Sequence, residues 1–271
     1  MPETISTRSE RFRTPPKLHD VYWLQQSEAD VPVENDWLGA SEADRLNSMR
    51  FAKRRADWRL GRWTAKLAVA ACLNEFCRPQ ALAGIEIRPA TCGAPEVFIA
   101  NQPAAVTISL SHCTGVAVCA VARSTVALGC DLEVIEPRSD AFVADYFTPE
   151  EQALVAQASA TERPRLLTLL WTGKESALKA LRAGLRLDTR CVRVSPWDSL
   201  PGEGESGDEC LEDSAFTFPL SYGLNTWCPL QVRYTAGQIF SGWWQQTGSL
   251  LRTIVAAPPP APPILLTLTG I

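Results

Sequence analysis

Long apolar runs are missing from this sequence, and no stretch of about 18 consecutive hydrophobic residues could form a membrane-crossing helix. The first 17 residues carry charge without an apolar segment, so they do not read as a secretory signal. Histidine is scarce, with two in 271 residues, and the nine cysteines are scattered, odd in number and free of any C-x-x-C pair. That spacing excludes a zinc site of the usual kind and reads as reduced thiols, many of them small core residues, in a cytoplasmic protein. Positive charge is short overall: the formal net charge of −4 argues against a nucleic-acid-coating protein, so any polyanion site must be locally basic. The signatures of a Rossmann dinucleotide site, a phosphate-cradling P-loop and a serine nucleophile elbow are all absent.

What is present belongs to a soluble globular chain, 46% hydrophobic and 21% charged, long enough for one large domain or two small ones. Two segments have strong helical pattern. Arg50–Phe76 interleaves Arg50, Lys53, Arg54, Arg55, Arg59, Arg62 and Lys66 with Phe51, Trp58, Leu60, Trp63 and Leu67. Such a face is either solvated or an anion site, and the concentration of positive charge in an acidic chain favours the anion site. Arg165–Arg182 is the second helix. Ser41–Asp44 and Thr148-Pro-Glu-Glu151 read as helix starts.

Strands are expected at Val21–Leu24 and Ile85–Arg88, followed by a turn at Thr91–Pro95. Val106–Leu110 and Val116–Val121 read as a hairpin turning at Ser111–Gly115, and Val126–Val134 as the third strand of the same antiparallel meander. Leu185–Asp188 and Cys191–Val194 read as an extended pair, and Phe216–Leu220, Leu230–Tyr234 and Gln238–Trp244 as further strands. Residues 1–18 read as a flexible arm, Pro201–Asp213 as an acidic surface loop and Ala256–Pro263 as a stiff extended tail. Trp58–Lys66 and Trp171–Lys179 form a thin internal echo, each placing tryptophan and lysine on one helix.

The chemistry gathers in Gly129-Cys-Asp-Leu-Glu133 and Trp171-Thr-Gly-Lys-Glu-Ser-Ala-Leu-Lys179. Strand alternation sends Asp131 and Glu133 to one face, and helical spacing stacks Trp171, Glu175 and Lys179 along one side. Two carboxylates on one strand face repel unless a cation or basic partner intervenes. Glu175 and Lys179 alone could be an ordinary i,i+4 pair. If the helix side meets the strand face, three acids and a lysine converge into a site suited to a hard divalent cation, Mg²⁺ above all when phosphates complete its shell.

With Ile108-Ser-Leu-Ser-His112, these motifs resemble the 4′-phosphopantetheinyl transferases of the larger, Sfp-like type, over about Arg50 to Val194. The resemblance implies an α+β fold of two similar halves related by a pseudo-two-fold, each a small antiparallel sheet packed with helices, with the active site in the cleft between them. The boundaries are then an arm 1–18, a coenzyme A-binding half 19–124, and a half 125–271 carrying the metal and catalytic motifs. It implies transfer of the phosphopantetheine arm of coenzyme A to a serine of an apo acyl or peptidyl carrier protein, in fatty acid, polyketide or nonribosomal peptide synthesis, by a cytoplasmic monomer.

The resemblance further makes Asp131, Glu133 and Glu175 the ligands of Mg²⁺ or Mn²⁺, Glu175 the base and Lys179 the group stabilising the departing phosphate. Ser111, His112, Asp131, Lys174 and Lys179 would contact coenzyme A, and Arg54, Arg55 and Arg62 are candidates for its phosphates. The apolar surroundings of Phe147 would receive the carrier. One departure is Ala94, where many relatives have a lysine in a Gly-Lys-Pro turn. Two other readings are a non-catalytic homologue that binds carrier or coenzyme A, and an unrelated Mg²⁺-dependent nucleotide hydrolase.

Overall fold

The computed structural model describes residues 19–73, 79–196 and 224–268. In chain order the elements are β1 (Tyr22–Ser27), α1 (Ala40–Ser48), α2 (Ala52–Cys72), α3 (Pro79–Ala83), β2 (Ile85–Pro89), β3 (Pro95–Ile99), β4 (Gln102–Pro103), β5 (Val106–Cys113), β6 (Val116–Arg123) and β7 (Ala127–Val134). There follow α4 (Asp140–Tyr146), α5 (Pro149–Gln157), α6 (Arg163–Ala180), β8 (Val192–Ser195), β9 (Cys228–Tyr234), β10 (Ile239–Thr247), β11 (Leu250–Ala257) and β12 (Ile264–Leu265). The architecture is mixed α+β, with a sheet ordered β12-β1-β6-β5, another ordered β7-β11-β10-β9-β8, and a small one ordered β2-β3-β4.

Each long helix lies on its own sheet. Helix α2 packs on β1, β5 and β6, while α6 packs on β7, β8 and β11. Leu166, Leu167, Leu169, Leu170 and Leu178 of α6 are buried, each contributing about 1.5–3 kcal/mol by leaving water. Two glycines set how closely α6 can sit. A Cβ on Gly129 would lie 1.7 Å from the Ser176 carbonyl oxygen, and one on Gly173 would lie 2.9 Å from the Val194 side chain.

One bonding pattern occurs twice. On α2, Lys66 is fully buried, donates to the carbonyls of Trp37 and Leu82, and pairs with Glu42 at 2.5 Å. On α6, Lys174 is equally buried, donates to the carbonyls of Thr189 and Val192, and pairs with Glu151 at 2.7 Å. Each glutamate also caps its own helix start and accepts a strand amide: Gly39 and Ile87 donate to Glu42, Thr148 and Val194 to Glu151. These carboxylates are therefore fully used, which offsets the desolvation that burial imposes on the pair. The echo thus has another register than the one first read. Trp63-Thr-Ala-Lys66 answers Trp171-Thr-Gly-Lys174, and Lys66 corresponds to Lys174, not Lys179.

Several expectations need correcting. Ser41 lies inside α1, whose cap is Gly39, because Glu42 reaches back to the Gly39 amide. The hairpin turn is only Thr114-Gly115, both with positive φ of 47° and 74°, so Ser111 and His112 are strand residues. Strand β7 does not extend the β5–β6 meander but pairs with β11, more than a hundred residues later. Leu185–Asp188 does not pair with 191–194; Gly184–Arg186 is a 3-10 turn, and β8 pairs with β9. Strand β11 itself was not anticipated, and the stretch read as a tail from Ala256 starts with its last two residues. The strand expected at 216–220, the loop at 201–213 and the arm at 1–18 lie outside the described residues.

The two large sheets meet at their edges, β5 against β7. Side chains bridge them there: the Cys130 amide donates to Ser109 Oγ at 2.8 Å, and Ser111 Oγ donates to Asp131 Oδ1 at 2.7 Å. All seven described cysteines are free, and no described helix is long and apolar enough to cross a membrane.

Candidate active site

Helix α6 runs along the face of β7 that carries Gly129, Asp131 and Glu133. Two strand residues advance roughly 6.6–6.8 Å and four helical residues roughly 6 Å, so side chains at these spacings stay in step. Trp171 stands beside Glu133, Lys179 pairs with Asp131 at 2.8 Å, and Glu175 lies between, within the fields of both acids. Without the bare backbone at Gly129, the helix would stand off and the register would be lost.

Asp131 is buried, and its Oδ1 accepts from Ser111 Oγ at 2.7 Å and from Lys179 Nζ at 2.8 Å. Lys179 Nζ also donates to the Cys130 carbonyl at 2.9 Å, which leaves one of its three hydrogens for a ligand. Burial pulls the Lys179 pKa down, but Asp131 and Glu175 more than offset it, and the ammonium titrates above its ordinary value. Burial followed by the Asp131 charge pushes Glu175 above the usual carboxylate range, with Glu133 adding to this and Lys179 opposing. Glu133 is raised in the same way, by burial and then by Asp131, against the pull of Arg138, whose Nη2 lies 3.4 Å from its Oε2.

Two buried oxygens here, Asp131 Oδ2 and Glu175 Oε1, have no hydrogen-bond partner. Orphaned oxygens on two neighbouring carboxylates fit a hard cation. Among the described residues no group of three or more His, Cys, Asp or Glu side chains is arranged to hold a metal on its own. A cation at Asp131 and Glu175 would therefore draw further oxygens from water or ligand, the habit of Mg²⁺.

Lys179 also lines a cleft of about 830 Å³ bounded by β5, the start of β7, residues 92–98 of the β2–β3 turn and β3, and Arg182 beyond α6. Ala94 faces this cleft without a charge.

The other expected residues separate. Lys174 is sealed on the opposite side of α6 with Glu151, where burial lowers its pKa, so it stands away from the cleft. Of the expected residues only Lys179 lines the cleft; Asp131, Glu133, Glu175, Ser111, Arg54, Arg55 and Arg62 are not among its lining residues. Arg55 donates to the carbonyls of Leu46 and Met49, Arg62 lies over Trp58 and toward Glu42, and Arg54 is exposed. Ser111 reaches Asp131, while its strand neighbour His112 is exposed. Phe147 itself is fully buried beside Lys174, while Tyr146 in the rim around it is 37% exposed. Arg138 and the bridging role of Ser109 were not anticipated; alternation of Ser109 and Ser111 along β5 was the available signal.

Asp131 and Glu175 each carry a buried oxygen without a partner, and Lys179 beside them also lines the cleft. Residues 127–222, roughly a third of the chain, match the family model described as the 4′-phosphopantetheinyl transferase superfamily, ACPS. The match bears out the resemblance read from the motifs, at the level of the superfamily. Among solved structures, a holo-(acyl-carrier-protein) synthase from Bacillus anthracis str. Ames in complex with CoA (3′,5′-ADP) is 19% identical, covering 38% of this chain and 92% of that one, with a TM-score of 0.32. The Helicobacter pylori holo-[acyl-carrier-protein] synthase in complex with coenzyme A is 17% identical, covering 38% and 99%, with a TM-score of 0.31. Both likenesses are too distant to speak for this chain's activity. No curated protein matches it.

Proposed function

We propose that this protein is a 4′-phosphopantetheinyl transferase of the larger type, which moves the phosphopantetheine arm of coenzyme A to a serine of an apo carrier protein and releases 3′,5′-ADP. The observation that carries the reading is the docking of α6 on β7 inside the matched segment, with Asp131 Oδ2 and Glu175 Oε1 both left without partners. In this reading 19–124 and 125–271 are the two halves. The repeated Glu–Lys bonding pattern supports them.

The serine oxygen attacks the phosphorus that bears the pantetheine, and the pyrophosphate P–O bond breaks. Glu175 accepts the serine proton, its buried Oε1 having no other partner. Lys179 turns its spare hydrogen toward the departing phosphate. Ser111 holds Asp131 in place from β5. Mg²⁺, when bound by Asp131 and Glu175 with Glu133 beside them, would neutralise charge on the pyrophosphate.

The test is mass spectrometry of apo acyl and peptidyl carriers incubated with coenzyme A and Mg²⁺. A gain of one phosphopantetheine arm is expected on at least one, and none on any carrier refutes the reading. Carrier binding that is indifferent to Mg²⁺, without turnover, would instead mark a non-catalytic homologue. Release of 3′,5′-ADP without any carrier would mark a hydrolase.

A further inference from the structure

The mouth of the cleft carries a cation that the reaction above does not use. Arg182 follows α6 in a left-handed backbone conformation, with φ of 55°. The Ala183 amide returns to the Leu178 carbonyl at 3.0 Å and the Arg182 amide to the Lys179 carbonyl at 2.9 Å, a helix ending in which glycine is the usual occupant. A basic residue at a helix end commonly satisfies the last carbonyls, and Arg186 does so, donating to the carbonyls of Ala183 and Arg182 as well as to that of Cys92. Arg182 does not. Its Nη2 crosses to Glu96 Oε1 on β3 at 2.6 Å, with the two side chains 50% and 43% exposed.

We propose that Arg182 is a specificity-determining residue that grips a phosphate of the ligand at the cleft mouth, releasing Glu96 as it does so. Glu96 is the only acid among the described residues lining the cleft, and Lys179 and Arg182 are its cations. An exposed ion pair is weak and exchangeable, whereas a planar guanidinium meets a phosphate with two charge-assisted hydrogen bonds. Arg186 positions the site by tying residue 92 to the segment after α6, so Arg182 and the cleft wall keep their spacing. Neighbouring Ala94 brings no competing charge. The ligand class is a phosphate-bearing nucleotide, and this assignment rests on the reading of the cleft given above.

Calorimetric titration of the whole chain with 3′,5′-ADP, and separately with inorganic pyrophosphate, decides it. Arg182→Ala is expected to weaken 3′,5′-ADP about tenfold or more. Arg182→Lys should fall between, and Glu96→Ala should tighten binding by a few-fold because it frees the guanidinium. Thermal unfolding should be unchanged in all three, since both side chains are half exposed. If Arg182 and Glu96 only strapped the fold, both alanine variants would weaken binding alike, and that result overturns the assignment. Wild-type binding of 3′,5′-ADP that Arg182→Ala leaves intact overturns it alone and spares the transferase reading. Wild-type binding of pyrophosphate but not of 3′,5′-ADP, lost in Arg182→Ala, upholds the anion grip and defeats the transferase reading.

Discussion

At Glu175 burial and the charge of Asp131 push the same way, and only Lys179 opposes them. A carboxylate whose folded pKa is raised contributes stability that is full below its ordinary value of 4.5 and is lost as pH rises through the raised one. Glu175→Gln removes that loss. In chelator at neutral pH it should raise Tm, by about 2–4 °C for each kcal/mol relieved in a chain of this size. Added Mg²⁺ should raise the Tm of the wild type and leave that of Glu175→Gln nearly unmoved. A lower Tm for the variant in chelator would show that Glu175 is satisfied in the fold. In the transfer assay, Asp131→Ala and Glu175→Ala should each lower kcat by about 10²–10³, the usual loss on removing a preorganised charge-stabilising group.

The element that organises the site is α6 on β7, and its fit depends on Gly129. Gly129→Ala would drive a methyl into the Ser176 carbonyl, where the obstruction is backbone and cannot swing aside. Denaturant unfolding should show a loss of about 1–3 kcal/mol or more, as overpacked cores do, together with a loss of transfer activity from the shifted register. Unchanged stability would mean the helix tolerates standing further off. Periodicity alone was enough to read α6, its Trp171–Glu175–Lys179 side and the alternation of β7. It could not show what lined the far side of the helix, and Lys174 was therefore drawn into the site although it closes an ion pair with Glu151. The partner of β7 was also hidden, because β11 lies far along the chain and local pattern carries no information on long-range pairing. The arginines of α2 show a related limit of local pattern: a basic stripe reads alike whether it meets phosphates or, as at Arg55 and Arg59, backbone carbonyls of its own fold.

Across the whole molecule, Trp63-Thr-Ala-Lys66 and Trp171-Thr-Gly-Lys174 place one structural lysine under each long helix. In that register Glu175 falls on Leu67 and Lys179 on Ala71, both buried apolar residues, so the acid–lysine chemistry is confined to α6. Lys66→Met and Lys174→Met should each cost about 3–5 kcal/mol, since each strands a buried carboxylate. Removing Glu151 as well should not restore stability, because the Thr148 and Val194 amides would lose their acceptor. Chemical denaturation of the single and double variants checks this; recovery in the double variant would show the carboxylate dispensable.

The claim on which the account turns is that Asp131 and Glu175 share one cation. Electron paramagnetic resonance of Mn²⁺, titrated in the presence of coenzyme A, counts that ion directly. One bound ion in the wild type, lost in both Asp131→Asn and Glu175→Gln, is the predicted result; an ion bound equally well by both variants contradicts it.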